Sequence, residues 1–137
     1  MTGGHGKLIR DGYDAWNVGD RSYVLEHLSP DVVWVTPPDD PDQGVFRGHG
    51  AVTGFWDQWR AAVGQLRFDI IEMAELGDRV LAVVKRSGVG RQSQLEVSDV
   101  VCQVFFFDVD GRCSLVREFY DRSVAYAAAG MPTPSEG

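Results

Sequence analysis

Hydrophobic and polar positions alternate most regularly between residues 94 and 122. In a strand, side chains two apart share a face, so Val97, Val101 and Phe105 fall together with Asp99 and Gln103. In a second arm Ser114, Val116, Glu118 and Tyr120 share one face, and Cys113, Leu115, Arg117 and Phe119 the other. Between the arms, Asp108-Val109-Asp110-Gly111 has turn chemistry: Asp tolerates turn geometry and Gly accepts positive φ. The pattern predicts a long hairpin, rich in Val and Phe, with polar groups on an apolar face. Centring it on Val109 and Asp110 sets Cys102 nearer Arg117 than Cys113.

Upstream the period changes. Ile9, Tyr13 and Trp16 recur at helical spacing over residues 7–18, ahead of a helix-ending Gly19. Asp20 is placed to cap a second helix with Val24, Leu25 and Leu28 inward, and Ser29-Pro30 is expected to stop it. Residues 32–36 read as a strand with Trp34 and Thr36 on one face and Val33 and Val35 on the other. Residues 37–44, with three prolines and three aspartates in reach of one another, predict a surface loop, either a lid or merely solvated. A third helix is expected over 49–63, its stripe being Val52, Phe55 or Trp56, Trp59 and Val63. An aromatic stripe of this kind is usually core, which is how Trp59 is read; one of Phe55 and Trp56 is left over for a ligand or partner.

Strands follow over 68–76 and 78–87, turning at Gly77-Asp78, and in the second of them Val80, Ala82 and Val84 oppose Leu81, Val83 and Lys85. After the hairpin, residues 123–129 form an alanine-rich helix capped by Asp121 or Ser123 and ended by Gly130. Helices grouped ahead of a mostly antiparallel sheet predict an α+β fold whose curved sheet wraps the N-terminal helices. One domain over 1–137, with a core from about 7 to 130, accounts for the whole pattern.

Composition narrows the partners. Of 137 residues 44% are hydrophobic, with four Trp and seven Phe, ample for a packed core. The net charge of −7 argues against nucleic acid, which requires a basic surface. No apolar run approaches the roughly 18 residues that cross a membrane. Two cysteines make no disulfide framework, and a cytoplasmic location is the expectation. The histidines, His5, His27 and His49, are scattered, no phosphate cradle is visible, and neither cysteine has a histidine base nearby. No metal or other cofactor is expected.

The order of elements, with several short motifs, resembles the nuclear transport factor 2-like superfamily. The SnoaL-like polyketide cyclases and ketosteroid isomerases are the nearest groups within it. The resembling pieces are Tyr13-Asp14-Ala15-Trp16-Asn17-Val18-Gly19-Asp20, Leu28-Ser29-Pro30-Asp31-Val32-Val33-Trp34, Phe46-Arg47-Gly48, Phe55-Trp56, Gly77-Asp78-Arg79-Val80, Asp110-Gly111-Arg112 and Glu118-Phe119-Tyr120-Asp121-Arg122. The resemblance implies a cone-shaped, cystatin-like α+β barrel with a deep apolar cavity, and a homodimer through the outer sheet face. Ketosteroid isomerases use an aspartate base with an oxyanion hole of a tyrosine and a protonated aspartic acid. Tyr13 matches that tyrosine, but Thr36 stands where the base would be and Gln103 where the protonated acid would be. A threonine does not abstract a carbon-bound proton unaided, so isomerisation by that route is not expected. The histidine that SnoaL-like cyclases often carry on the Gln103 strand is also missing.

Glu118 remains the leading carboxylate, since a carboxyl beside aromatic walls has its pKa raised by desolvation and can serve as acid or base. The competing reading is an ion pair with Arg86 or Arg117. Asp99, about 13 Å from Gln103 along the strand, is either a second base or a partner of Arg86. Tyr13 and Gln103 are the expected hydrogen-bond donors to a developing oxyanion. Trp16, Trp34, Thr36, Phe55, Trp56, Val101, Phe105 and Tyr120 are the expected substrate walls. The function this supports is cofactor-independent proton transfer on an apolar, carbonyl-bearing cyclic compound of polyketide, steroid or terpenoid type. The alternative is a non-catalytic ligand-binding or dimerising domain.

Overall fold

A computed structural model describes residues 4–40 and 44–135. The elements run α1 (Gly4–Asn17), α2 (Arg21–Glu26), β1 (Leu28–Val35), β2 (Val45–Arg47), α3 (Gly48–Ala62), β3 (Val63–Leu76), β4 (Arg79–Gly90), β5 (Glu96–Phe107), β6 (Cys113–Phe119) and α4 (Arg122–Ala129). The six strands form one curved sheet in the order β2-β1-β6-β5-β4-β3. Every neighbouring pair is antiparallel except β1 with β6, which is parallel. The fold is the expected α+β arrangement.

Local chemistry sets the ends of the elements. The Asp20 carboxylate accepts from the Tyr23 N–H at 3.2 Å and caps α2, and Asp121 accepts from the Val124 N–H at 3.1 Å and caps α4. Gly130 closes α4 in the left-handed conformation at φ 73°. In the hairpin turn the Asp108 carboxylate accepts from the N–H groups of Asp110 and Arg112, while Gly111 takes φ 79°. Asn17 ties the end of α1 to β3: its amide donates to the Phe68 carbonyl and accepts from the Phe68 N–H, both at 2.8 Å.

Several boundaries differ from the sequence pattern: α1 begins at Gly4 and β4 runs on to Gly90, and three further differences have a local cause. Ser29-Pro30 does not stop α2, which ends at Glu26; both residues lie inside β1. The proline is tolerated because the β1–β6 register shifts between Leu28 and Val33, where no ladder N–H is needed. Residues 45–47 add a short strand, β2, that three residues are too few to announce. β3 begins at Val63 rather than at Phe68, with a register shift between Gly64 and Arg67.

The hairpin register also moves. Cys102 faces Phe119 and Gln103 faces Glu118, two residues along from the centred pairing. Because the side-chain period is two, that shift preserves the inward and outward faces. A further shift between Phe106 and Phe107 pairs Phe107 with Cys113 and turns Cys113 inward, contrary to its expected outward face.

Both faces of the sheet are buried at its centre. Val80, Ala82, Val84, Val101, Phe105 and Val116 pack inward against Ile9, Tyr13 and Trp16 of α1 and Val52 and Trp56 of α3. Leu81, Val83, Cys102, Val104 and Phe119 face outward beneath Ala125, Tyr126 and Ala129 of α4. The inner layer encloses the candidate site.

Candidate functional site

Between α1, α3 and the concave face of the sheet lies a cavity of about 100 Å³. Its walls are almost wholly apolar, with Trp16, Trp34, Phe55, Trp56, Trp59, Phe68, Phe105 and Phe107 among them. Strand alternation brings a few polar groups into this layer. Gln103 lies between Val101 and Phe105 in the inward register of β5, and Glu118 lies two residues after Val116 on β6.

These groups form one chain. The Tyr13 hydroxyl on α1 donates to Gln103 Oε1, and Gln103 Nε2 donates to Glu118 Oε2 at 2.8 Å. An ionised Glu118 sets the amide's orientation, since a carboxylate accepts only from the amide nitrogen; the amide oxygen then faces the phenol, which donates to it. Arg86 of β4 approaches from the side, with Nη1 4.0 Å from Glu118 Oε2. Its Nε and Nη2 donate to the two carboxylate oxygens of Asp99 at 2.9 and 2.7 Å, and its guanidinium lies 4.4 Å from the Trp59 ring centre.

Burial governs the protonation of the chain. Only 3% of Glu118 is exposed, and loss of water raises its pKa above the usual carboxylate range. Arg86 and the Gln103 amide oppose that rise without cancelling it. The Trp34 indole also favours the anion, yet its N–H stops short of a hydrogen bond. Tyr13 is held well above its ordinary value by burial and by the neighbouring Glu118 charge, so it remains a proton donor. Arg86 stays charged: burial lowers its pKa, but Asp99 and Glu118 together raise it further.

Of the expected site residues, the structure brings together Tyr13, Gln103 and Glu118 with Trp16, Trp34, Phe55, Trp56 and Phe105. It does not bring in the other four. Asp99 lies outside the cavity, its side chain 42% exposed and engaged by Arg86. Thr36 is buried, but its hydroxyl accepts from the Gly44 N–H at 2.7 Å and closes the base of the following loop. Val101 is core. Tyr120 is exposed and donates to Asp40 at 3.2 Å. The suggested lid over 37–44 falls partly on residues 41–43, outside the described residues.

Several lining residues were not singled out from sequence. Arg86 was read only as an ion-pair partner, although its signal was present: it continues the inward register of Val80, Ala82 and Val84. Trp59, read as core, is cavity wall. His27 lines the cavity at the Cys113 end, about 16 Å from Glu118 along β6. Its Nδ1 bonds the Tyr23 carbonyl at 2.8 Å and therefore carries the proton. Cys113 also lines the cavity, but burial pushes its thiol up to about 12 and that of Cys102 up to about 11. Neither is a thiolate at neutral pH. Among the described residues no group of three or more His, Cys, Asp and Glu side chains is placed to hold a metal ion, and no helix is long and apolar enough to cross a membrane.

Comparison with known proteins gives a family and a fold. The model of the SnoaL-like domain matches residues 9–125. Among solved structures, a nuclear transport factor 2-like protein of unknown function from Burkholderia pseudomallei is 21% identical, with a TM-score of 0.77 over 97% of this chain and 100% of its own. TerC co-crystallised with polyporic acid is 22% identical, with a TM-score of 0.74 over 91% of this chain and 96% of its own. A putative SnoaL-like polyketide cyclase from Jannaschia is 17% identical, with a TM-score of 0.74 over 93% of each chain. No curated protein matches in sequence. At these identities the structural likeness establishes the cone-shaped fold.

Proposed function

Because the chain belongs to the SnoaL-like domain family, we propose that it binds a small, apolar, carbonyl-bearing cyclic compound and moves a proton next to the carbonyl without a cofactor. Glu118 is the acid and base. The observation that carries this reading is its carboxyl, almost fully buried at an aromatic cavity and pushed upward in pKa by desolvation. A glutamate tuned toward neutrality exchanges protons most effectively at working pH. The structural likeness to a protein co-crystallised with polyporic acid and to a putative polyketide cyclase supports a small organic ligand.

The geometry redistributes the roles expected from sequence. Asp99 is removed from the base position by its place outside the cavity. The Tyr13 hydroxyl donates a hydrogen bond to Gln103 Oε1 and Gln103 Nε2 donates one to Glu118, so the pair orients the carboxyl. Size narrows the substrate. At about 100 Å³ the space is below the roughly 150 Å³ of a cavity that holds benzene, so a fused steroid does not fit and a single six-membered ring enters only as the lining side chains move apart.

The test is exchange of the α-hydrogens of cyclohexanone in deuterated water, followed by NMR. The protein should accelerate exchange; Glu118→Gln should slow it by roughly a hundredfold or more, while Asp99→Asn should retain most of the rate. Exchange undiminished in Glu118→Gln would refute the assignment.

One observation favours a second reading, a domain that binds without catalysing: the 4.0 Å approach of Arg86 is also what a structural ion pair looks like. Cyclohexanone bound without exchange would establish it. On either reading we place a homodimer contact on the outer sheet face and the helix that partly covers it, where Val100 of β5 and Val124 of α4 are each 46% exposed.

A further inference from the structure

Two polar groups in the cavity wall make no hydrogen bond within the protein. The indole N–H groups of Trp16 and Trp34 are both shut off from solvent, and neither has a hydrogen-bond partner. Both rings line the same cavity, each 8% exposed. They come from different walls, Trp16 from α1 and Trp34 from β1. Buried donors are paired in the great majority of proteins, so two orphans around one small apolar space require an explanation. Phenylalanine would fill either position with much of the same ring contact and no unmet donor.

We propose that these two indole N–H groups are the cavity's ligand-binding donors, and that together they select a single-ring compound bearing two carbonyl-type oxygens. The rest of the polar inventory agrees. Gln103 Oε1 already accepts a hydrogen bond from Tyr13 and Glu118 Oε2 accepts one from Gln103. A ligand rich in donors would find few acceptors, whereas one rich in acceptors meets two waiting donors. Arg86 is neutralised by Asp99 and does not call for an anionic ligand. Trp34 lies beside Glu118, which places one ligand oxygen, and the carbon next to it, near the carboxyl. This last point rests on the function proposed above; the binding itself does not. Buried donors also discriminate: an analogue without the matching oxygen leaves them unpaired and is rejected.

Within the protein the competing uses of these groups are a weak contact with the Trp56 ring and, for Trp34, the neighbouring Glu118 carboxylate. Both indoles stand nearly perpendicular to that ring, with ring centres 5.1 Å and planes 74° apart for Trp16 and 5.8 Å and 86° apart for Trp34. The experiment separates these uses from ligand binding. Para-cyclohexanedione, cyclohexanone and benzene are titrated by calorimetry into the wild type, Trp16→Phe and Trp34→Phe, and the indole N–H resonances are followed by NMR. The wild type should prefer the dione about tenfold over cyclohexanone, one hydrogen bond's worth, and both over benzene. Each substitution should lower the preference for the dione over benzene about tenfold, a ratio in which the extra space left by the smaller ring is common to both ligands. The two indole resonances, assigned from the variants, should move on adding the dione.

A dione bound no better than benzene, or a dione-to-benzene preference unchanged in both variants, would overturn the proposal. Should a variant fail to fold, wild-type indole resonances that stay still when the dione binds would overturn it equally. Donor-dependent binding without cyclohexanone exchange sinks the proposed catalysis and leaves this inference standing; exchange without donor dependence does the reverse.

Discussion

Glu118 keeps its carboxyl where water does not reach, and that has a consequence for stability as well as chemistry. A carboxyl whose pKa is higher in the folded than in the unfolded state binds its proton more tightly when folded. Its contribution is therefore complete below about pH 4.3, where an unfolded glutamate titrates, and is lost as pH rises through the raised folded value. Gln at this position has no proton to lose. Glu118→Gln should accordingly gain stability relative to the wild type as pH climbs through that window, read as urea midpoints at successive pH values. Parallel curves for the two proteins from pH 4 to 8 would mean that the carboxyl is not desolvated. Gln103 and Glu118 were legible in sequence as polar groups that strand register puts on an apolar face, and Tyr13 through the family resemblance, but the chain that links them was not. Pairing with Arg86 was one of two readings of Asp99, and nothing local decided between them. Asp99 shares that register, but the sheet's inner face is open at its end of β5, so the same parity leads to solvent and to Arg86.

At the scale of elements, period and punctuation carried far. The β5–β6 hairpin, the Asp20 and Asp121 caps and the glycines at 19, 77, 111 and 130 are local signals, and each produces the element it announces. Pairing is not local. The two-residue shift that sets Gln103 opposite Glu118 arises from how β5 and β6 meet the rest of the sheet, and it creates the contact on which the site depends. The irregularity at Phe106 and Phe107 turns Cys113 inward for the same reason. β2 and the early part of β1 were illegible because one is three residues long and the other contains a proline. The parallel partnership of β1 with β6 leaves no trace in either strand's own pattern.

At the scale of the molecule, the cone-shaped α+β fold followed from the order of elements, and the family match over residues 9–125 agrees with it. Cavity size was beyond the sequence, since it depends on how the aromatic walls lean together. Assembly is a separate expectation of the whole surface. With Val100 of β5 and Val124 of α4 exposed on the outer sheet face and the helix that partly covers it, sedimentation should show a dimer that Val100→Asp converts to a monomer, because an interface core excludes an unpaired charge; a wild type that sediments as a monomer throughout would remove that face as a contact. The central claim is narrower and concerns one carboxyl in one cavity. Its most direct test is a carbon-13 NMR titration of Glu118, assigned by comparison with Glu118→Gln. Desolvation predicts a midpoint clearly above the ordinary glutamate value of about 4.3; a midpoint at or below that value would show an anion paired with Arg86 and would contradict the acid–base role.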